Sequence, residues 1–188
     1  MSNYKDRIEN LFNYHIDVDK RILFIVGDIT DGNVGKVIKG IYFLDAVSDN
    51  TITVEIYTGG GDFYGMFAIY DCMRRCRSNI ITRGIGCVMS AGILLLAAGE
   101  KGKRCAFTNT QFMMHDILDG VDESKGYEVE SVSSNIKIVR NRYADLLSQR
   151  SKMDVNFIKR TLKGADHYFN AEQALKYGVI DKVIEVYE

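Results

Sequence analysis

The sequence predicts an α/β protein in which parallel strands alternate with crossover helices. Apolar runs rich in β-branched residues alternate with segments of helical periodicity through the first half of the chain. The strand-like runs recur at intervals of about 30 residues, which is the usual length of a strand–helix–strand unit. The chain has 188 residues, of which 46% are hydrophobic and 26% charged. These values predict one folded domain with a substantial core and argue against disorder.

Charge and composition exclude several classes of function. The formal net charge is −1 and the isoelectric point is near 6.3, so we expect no binding of nucleic acid or of an anionic membrane. The longest uncharged stretch, Gly84–Gly99, is shorter than the ~20 apolar residues of a spanning helix. The four cysteines lack a CxxC pattern, and the N-terminal segment is unlike a signal peptide. Together these features predict reduced thiols, no metal site and a cytoplasmic location.

The first strand–helix unit begins with an apolar run. Arg21–Gly27 is typical of a strand that is buried on both faces. Apolar residues at helical spacing from Val34 to Leu44 then predict a helix, for which Asp31 is a candidate N-cap.

Two further units follow. Ile52–Tyr57 predicts a strand that ends in the run Thr58–Gly61, and Met66–Met73 predicts the next helix. Asn79–Ile85 predicts a third strand. Gly86–Gly99 predicts a glycine turn followed by an apolar helix.

The pattern changes after residue 100. Short β-like segments are predicted at Lys103–Thr108 and Gln111–His115, and the polar stretch Asp119–Gly126 separates them from a long helix at about Glu128–Lys152. The remaining elements are a helix capped by Asp154 that runs to Leu162, a helix Ala171–Tyr177 between Asn170 as cap and Gly178, and a strand Val179–Val186.

The long helix carries a narrow apolar stripe on an otherwise polar surface. A helix this polar does not fit wholly inside a core, so we expect the stripe to pack against another subunit and the protein to be an oligomer. The stripe consists of Val129, Val132, Ile136, Val139, Tyr143, Leu146 and Leu147.

The glycine run Thr58–Gly61 lies between a strand and a helix, where phosphates often bind. It lacks the Gly-Lys-Ser/Thr ending of a phosphate loop, and Tyr64 stands where a dinucleotide fingerprint needs glycine. Two interpretations remain open: a tight strand-to-helix turn, or backbone N–H groups that face a developing oxyanion.

Three side chains are candidates for nucleophilic chemistry. Ser90 lies at the start of an apolar helix, where the helix N-terminus favours negative charge, although a serine there is more often a cap. Val88 breaks the G-x-S-x-G elbow of α/β-hydrolases. His115 ends a predicted strand and Asp166 lies near a loop-to-helix junction, positions that also suit a core histidine and a solvated cap. Sequence spacing alone does not bring the three together.

In combination these features resemble a known family. From about Lys20 to Glu188 the chain is similar to ClpP, the proteolytic subunit of the Clp protease. Four motifs occur in the order and at the intervals of that family: the glycine loop Thr58–Gly61 followed by Ile69-Tyr70-Asp71, Gly86–Gly92 around Ser90, Met113-Met114-His115, and Asp166–Asp181.

The resemblance implies a ClpP/crotonase-like fold over 1–188, with repeated β-α-β units, an N-terminal segment of about 1–19 and a protruding handle helix within about 119–152. It also implies a catalytic triad of Ser90 as nucleophile, His115 as general base and Asp166 as its orienting carboxylate. The oxyanion hole would be formed by backbone N–H groups of Gly60 or Gly61 and of Ala91. His167 is then a bystander.

The implied function is that of a serine endopeptidase subunit in a self-compartmentalised protease. Such a subunit hydrolyses unfolded polypeptides that an ATP-driven unfoldase of the AAA+ class feeds to it, and it needs no cofactor of its own because the partner uses the ATP. The substrate would lie extended, as a strand beside the glycine loop and the His115 strand. The implied assembly is a ring of seven identical subunits, alone or stacked as fourteen.

Departures from the family pattern concern assembly and docking. Glu55 stands in a strand that is aromatic-rich in the family, which predicts altered docking of the unfoldase. Gly164 and Ala165 replace a charged pair that joins the two rings, which predicts weaker ring pairing. The alternative is a catalytically silent ClpP-like subunit of a mixed ring. A Ser/Lys signal-peptide peptidase relative and an acyl-CoA hydratase of the same broad fold are more remote.

Overall fold

The computed structural model describes residues 4–116 and 126–185. These residues form seven α-helices: α1 Tyr4–Tyr14, α2 Asp31–Val47, α3 Phe63–Arg75, α4 Ala91–Ala97, α5 Gly126–Arg150, α6 Val155–Leu162 and α7 Ala171–Lys176. They also form eight strands: β1 Ile16–Asp17, β2 Ile22–Val26, β3 Ile52–Thr58, β4 Ile80–Met89, β5 Cys105–Phe107, β6 Gln111–Met114, β7 His167–Asn170 and β8 Lys182–Ile184. Residues 117–125 lie outside the described residues, and with them all of the predicted polar stretch Asp119–Gly126 except Gly126.

The strands form one mostly parallel sheet in the order β1-β2-β3-β4-β5-β8. β2, β3 and β4 pair in parallel, with α2 and α3 as the connections between them. Parallel neighbours require crossover connections of this kind, so the prediction of an α/β class is confirmed. Among the described helices none is both long and apolar enough to cross a membrane.

β4 is longer than predicted and divides the sheet. Its first part pairs with β5 through Arg83 and Gly84, whereas its last three residues, Cys87–Met89, pair with β6. The predicted end at Ile85 is wrong because Gly86, with φ +62°, absorbs a register shift against β3 without ending the strand. The strand therefore continues directly to Ser90.

Burial in the first long strand is one-sided. Leu23 and Ile25 of β2 are buried, whereas Ile22 and Phe24 are half-buried and Val26 is exposed. The prediction of a strand buried on both faces is wrong, because an apolar run does not by itself show how many layers cover the sheet.

α4 is buried along its whole length and needs partners for its last carbonyl groups. Arg150, the last residue of α5, donates to the carbonyl oxygens of Ala97 (3.1 Å), Ala98 (3.2 Å) and Gly99. Arg104 donates to the Ala97 carbonyl as well (3.5 Å). Two guanidinium groups thus satisfy the carboxyl end of the helix that begins after Ser90.

The C-terminal part of the apolar stripe of α5 packs inside the chain. Val139, Tyr143, Leu146 and Leu147 are buried within the chain itself, so the prediction that this part of the stripe packs against another subunit is wrong. The apolar spacing correctly indicated that these side chains are covered, but α4 and α6 of the same chain cover them. The side chains of Val129 and Val132 lie outside the described residues.

Several helix ends depart from the prediction. Asp154 and Asn170 cap α6 and α7 as predicted. The N-cap of α2 is Thr30 rather than Asp31, because Asn33 completes a capping box with Thr30. α1, β1 and β7 were not predicted, and β8 is shorter than the predicted strand at Val179–Val186.

Candidate active site

The backbone of Ser90 is held in an unusual conformation between β4 and α4. Its φ of 52° and ψ of −120° lie outside the regions that a residue with a side chain normally adopts. Its N–H donates to the carbonyl of Met113 in β6 (2.7 Å). Its carbonyl accepts from the N–H of Ile93 (3.1 Å) and from the hydroxyl of Tyr143 (3.0 Å). Three elements therefore fix this residue, which is how strained backbone persists at functional sites.

The Ser90 side chain faces a cavity of about 520 Å³. The residue is only 5% exposed, and its hydroxyl makes no capping bond to α4. The interpretation of Ser90 as a side-chain cap is therefore wrong. The cavity is lined by the glycine run, the beginning of α3, His115 and the side chains of α5 that face it.

The glycine run lies against Ser90. A methyl group added at Gly60 would lie 2.7 Å from Ser90 Cβ and 3.2 Å from Ser90 Oγ, so only glycine permits this approach. The N–H of Gly60 donates to Thr58 Oγ1 (3.0 Å), whereas no hydrogen bond from the N–H of Gly61 is found within the described part of the chain. Of the two glycines, Gly61 is thus the better placed to donate to a ligand.

The helix after the glycine run is already capped by an acidic side chain. The Asp62 carboxylate accepts from the N–H of Gly65, which satisfies the first turn of α3. A negative charge at this N-terminus disfavours a bound phosphate. This capping adds to the sequence-based argument against a phosphate site, and both interpretations of the glycine run, a tight turn and an oxyanion hole, remain open.

His115 directly follows β6 and lines the same cavity as Ser90. β6 and β7 pair antiparallel, and the last pair is Met114 with His167. The next residue on each strand is His115 on one side and Asp166 on the other. The β6–β7 register thus brings the chain segments that carry His115 and Asp166 to the same end of this strand pair.

The three candidate triad residues are not joined by hydrogen bonds. Within residues 4–116 and 126–185, no such bond links Ser90 to His115 or His115 to Asp166. Asp166 is exposed and does not line the cavity. The structure therefore brings Ser90 and His115 to one cavity and leaves Asp166 outside its lining.

The other two histidines lie elsewhere. The Nε2 of His167 is 3.2 Å from the hydroxyl of Tyr177, and its ring packs with those of Phe157 and Phe169. His15 lies before β1, and neither histidine lines the cavity. The role of His167 as a bystander stays a prediction.

α5 supplies two contacts that the sequence did not reveal. Arg140 makes a bidentate ion pair with Asp116, the residue after His115, with Nε–Oδ1 and Nη2–Oδ2 distances of 2.8 Å. Tyr143 reaches the Ser90 carbonyl. The apolar stripe of α5 was the available signal, but it predicted packing and gave no indication of a polar contact.

The cysteines are unsuited to nucleophilic chemistry. All four are free, and burial raises the pKa of Cys72, Cys87 and Cys105, and that of Cys76 to about 12. Their thiolate forms are therefore scarce at neutral pH. Among the described residues, no group of three or more His, Cys, Asp or Glu side chains is arranged to hold a metal ion.

Comparison with known protein families gives a match to almost the whole chain. The family model described as Clp protease matches residues 6–187, which is nearly the whole chain. The matched range includes the glycine run, Ser90, His115 and Asp166. The fold of this family agrees with the mostly parallel, helix-flanked sheet described above.

Proposed function

Since the chain belongs to the Clp protease family, we propose that it is a serine endopeptidase subunit that hydrolyses peptide bonds of unfolded polypeptides. One observation carries the proposal: Ser90 and His115 line the same cavity, and the glycine run contacts Ser90 at the same place. A nucleophile, a base and backbone donors within one cavity are the parts that acyl transfer requires.

In the proposed reaction the Ser90 hydroxyl attacks the peptide carbonyl while His115 takes its proton. The tetrahedral oxyanion accepts hydrogen bonds from the N–H groups of Gly61 and Ala91. His115 then gives the proton to the leaving amine, which leaves an acyl-enzyme on Ser90. In the second half of the reaction His115 takes a proton from water as the water attacks the acyl group, and gives that proton to the Ser90 oxygen as the carboxylic acid product leaves. Asp166 orients the imidazole. Catalytic hydrogen bonds often tighten only when substrate is bound, so we expect the bond between His115 and Asp166 to form in that state.

The substrate would lie beside the glycine run. β6 is paired with β4 on one side and with β7 on the other, so Gln111–Met114 offers no free edge. An extended peptide is therefore expected beside the glycine run and His115 and not along Gln111–Met114. The paired edges of β6 narrow the sequence-based expectation, which placed the substrate beside the glycine loop and the strand that ends at His115.

A fluorophosphonate probe tests the proposal. It should label wild-type protein on Ser90, as judged by the mass of the intact chain and of its peptides. Ser90→Ala should lose the label and about 10⁴- to 10⁶-fold in the rate of peptide cleavage, with an unchanged circular dichroism spectrum. His115→Ala should lose activity, and His167→Ala, a matched control, should retain most of it.

The silent-subunit alternative is favoured by one observation, the absence of a hydrogen bond between His115 and Asp166 in the described residues. It predicts neither label nor cleavage in the homogeneous protein. A wild-type protein that is assembled, unlabelled and inactive would support this alternative and reject the peptidase.

The assembly we propose is a ring of seven subunits, with fourteen in a stacked pair and with ATP-driven unfolding supplied by a partner of the AAA+ class. Gly164 and Ala165 are exposed and carry no charge, which supports weak ring pairing. Glu55 is paired with Arg83 at 2.6 Å on the strand that docks the partner in the family, which supports altered docking. Sedimentation velocity across a dilution series, with cleavage measured in parallel, should show heptamers and tetradecamers in exchange. A single species with constant specific activity would contradict weak pairing.

A further inference from the structure

We propose that Tyr143 is a positioning residue for the oxyanion hole: its hydroxyl holds the Ser90–Ala91 peptide so that the N–H of Ala91 faces the reacting carbonyl oxygen. The inference rests on the proposed peptidase function and adds a role for α5. It assigns to the long helix a direct influence on transition-state stabilisation in addition to its packing in the core.

The contact comes from a side chain with little freedom. Tyr143 is 1% exposed, and its ring packs edge-on against that of Phe63, with centroids 5.8 Å apart and planes at 77°. Its hydroxyl lies 3.0 Å from the Ser90 carbonyl oxygen. Burial raises the pKa of the phenol well above its ordinary value, so the group remains a proton donor over the whole working pH range.

Peptide geometry connects this bond to the oxyanion hole. The carbonyl of Ser90 and the N–H of Ala91 belong to one planar trans peptide unit, in which the two groups point in opposite directions. A donor that fixes the direction of the carbonyl therefore also fixes the direction of the N–H. The N–H of Ala91 is the first of α4 and has no partner within that helix, so it is available to a ligand.

The second bond to the same carbonyl does not replace the first. Ile93 donates to Ser90 from within the first turn of α4, so it moves together with that turn. Tyr143 donates from a different helix and ties the peptide to the body of the protein. Since Ser90 has strained φ and ψ values, loss of this tie should let the peptide plane relax away from its catalytic direction.

A purely structural role is the competing explanation, because a buried tyrosine hydroxyl needs some partner. The two roles differ in what they change. A hydrogen bond that only provides the buried phenol with a partner affects the stability of the fold. Orientation of the Ala91 N–H affects only the states of the reaction that carry an oxyanion.

Tyr143→Phe separates the two, since it removes one hydroxyl and keeps the ring. The measurements are kcat and KM for a fluorogenic peptide and the affinity for a peptide boronate, whose tetrahedral adduct places an oxygen in the hole. Removal of one oxyanion donor costs about 10²–10³ in kcat, and a misdirected donor should cost a part of that, about tenfold. We expect kcat and boronate affinity to fall together by about this factor with an unchanged KM. Tyr42→Phe, on the exposed side of α2, is the control that should change neither.

Three results would overturn the inference: an unchanged kcat, a raised KM with unchanged kcat, or a boronate affinity equal to that of the wild type. If Tyr143→Phe does not give the wild-type circular dichroism spectrum, Tyr143→Met removes the same hydroxyl and fills the space with a flexible apolar side chain. If neither variant folds, Tyr143 serves the fold and the inference is rejected. A wild-type protein without cleavage or fluorophosphonate labelling is a separate result that rejects the peptidase function, and the inference with it.

Discussion

Replacement of Arg104 by methionine tests how the buried helix that follows Ser90 is held in place. Arg104 is 4% exposed, and its Nε and Nη2 donate to the Asp181 carboxylate at 2.8 and 2.6 Å. A third donor, Nη1, reaches the carbonyls of Ala97 and Arg150. Methionine keeps most of the side-chain volume but removes every one of these donors.

The expected loss follows from what the change leaves behind. Removal of one partner of a buried ion pair costs roughly 3–5 kcal/mol, since the other charge stays buried without compensation. The Asp181 side chain is 22% exposed, so water can reach it and the lower end applies. We expect the free energy of unfolding of Arg104→Met to fall by about 3 kcal/mol.

Urea unfolding followed by circular dichroism measures this change, at equal subunit concentrations because assembly adds to apparent stability. The matched control is Arg77→Met, since the Arg77 side chain is two-thirds exposed and its ion pairs, at 3.3 Å with Asp49 and 3.8 Å with Asp45, are longer than that of Arg104. An exposed pair is worth about 0–1 kcal/mol. Equal losses in the two variants would refute the reasoning that burial, rather than charge pairing itself, sets the magnitude.

Three further predictions follow from the same structure. Gly60→Ala should abolish peptide cleavage and fluorophosphonate labelling, because the added methyl would lie 2.7 Å from Ser90 Cβ; Gly102→Ala, also at positive φ but with open space around it, should retain both. Burial opposes ionisation of Asp181, but hydrogen bonds from Arg104 hold its pKa below the ordinary value. The contribution of Asp181 to stability is therefore complete above about pH 4, its ordinary pKa, and is lost as the pH falls through its lower pKa in the folded protein. Thermal unfolding of Asp181→Asn should accordingly depend less on pH in this acidic range. Burial raises the pKa of Cys87, so iodoacetamide at neutral pH should alkylate it slowly, and Cys87→Ser should retain cleavage; rapid alkylation with loss of activity in the wild type alone would contradict this.

Local sequence patterns were sufficient for much of the fold. Alternation of apolar runs with helical periodicity predicted β2, β3 and the helix that follows each of them, because both patterns depend on residues close in sequence. The caps at Asp154 and Asn170 were predictable for the same reason. The residue types of the candidate site, a serine at a helix start and a glycine run after a strand, were also visible in the sequence, and the family model matches the chain across them.

Arrangement of the candidate site depended on pairings between distant parts of the chain. β7 has no strong strand pattern, yet its antiparallel register with β6 brings the segments that carry His115 and Asp166 to the same end of the strand pair. The proposal of Gly61 rather than Gly60 as the oxyanion donor rests on the bond from the Gly60 N–H to Thr58 Oγ1, which only the folded loop reveals.

Polar contacts across the core were the least predictable part. Arg104 and Asp181 are 77 residues apart, and Tyr143 is 53 residues from Ser90. Periodicity identifies which side chains are buried, but a buried hydroxyl or guanidinium takes whichever acceptor the packing places within about 3 Å. The sequence alone thus determined the fold class and the chemical groups, whereas the tertiary structure decided which of those groups meet, because hydrogen bonds depend on distances that local patterns do not contain.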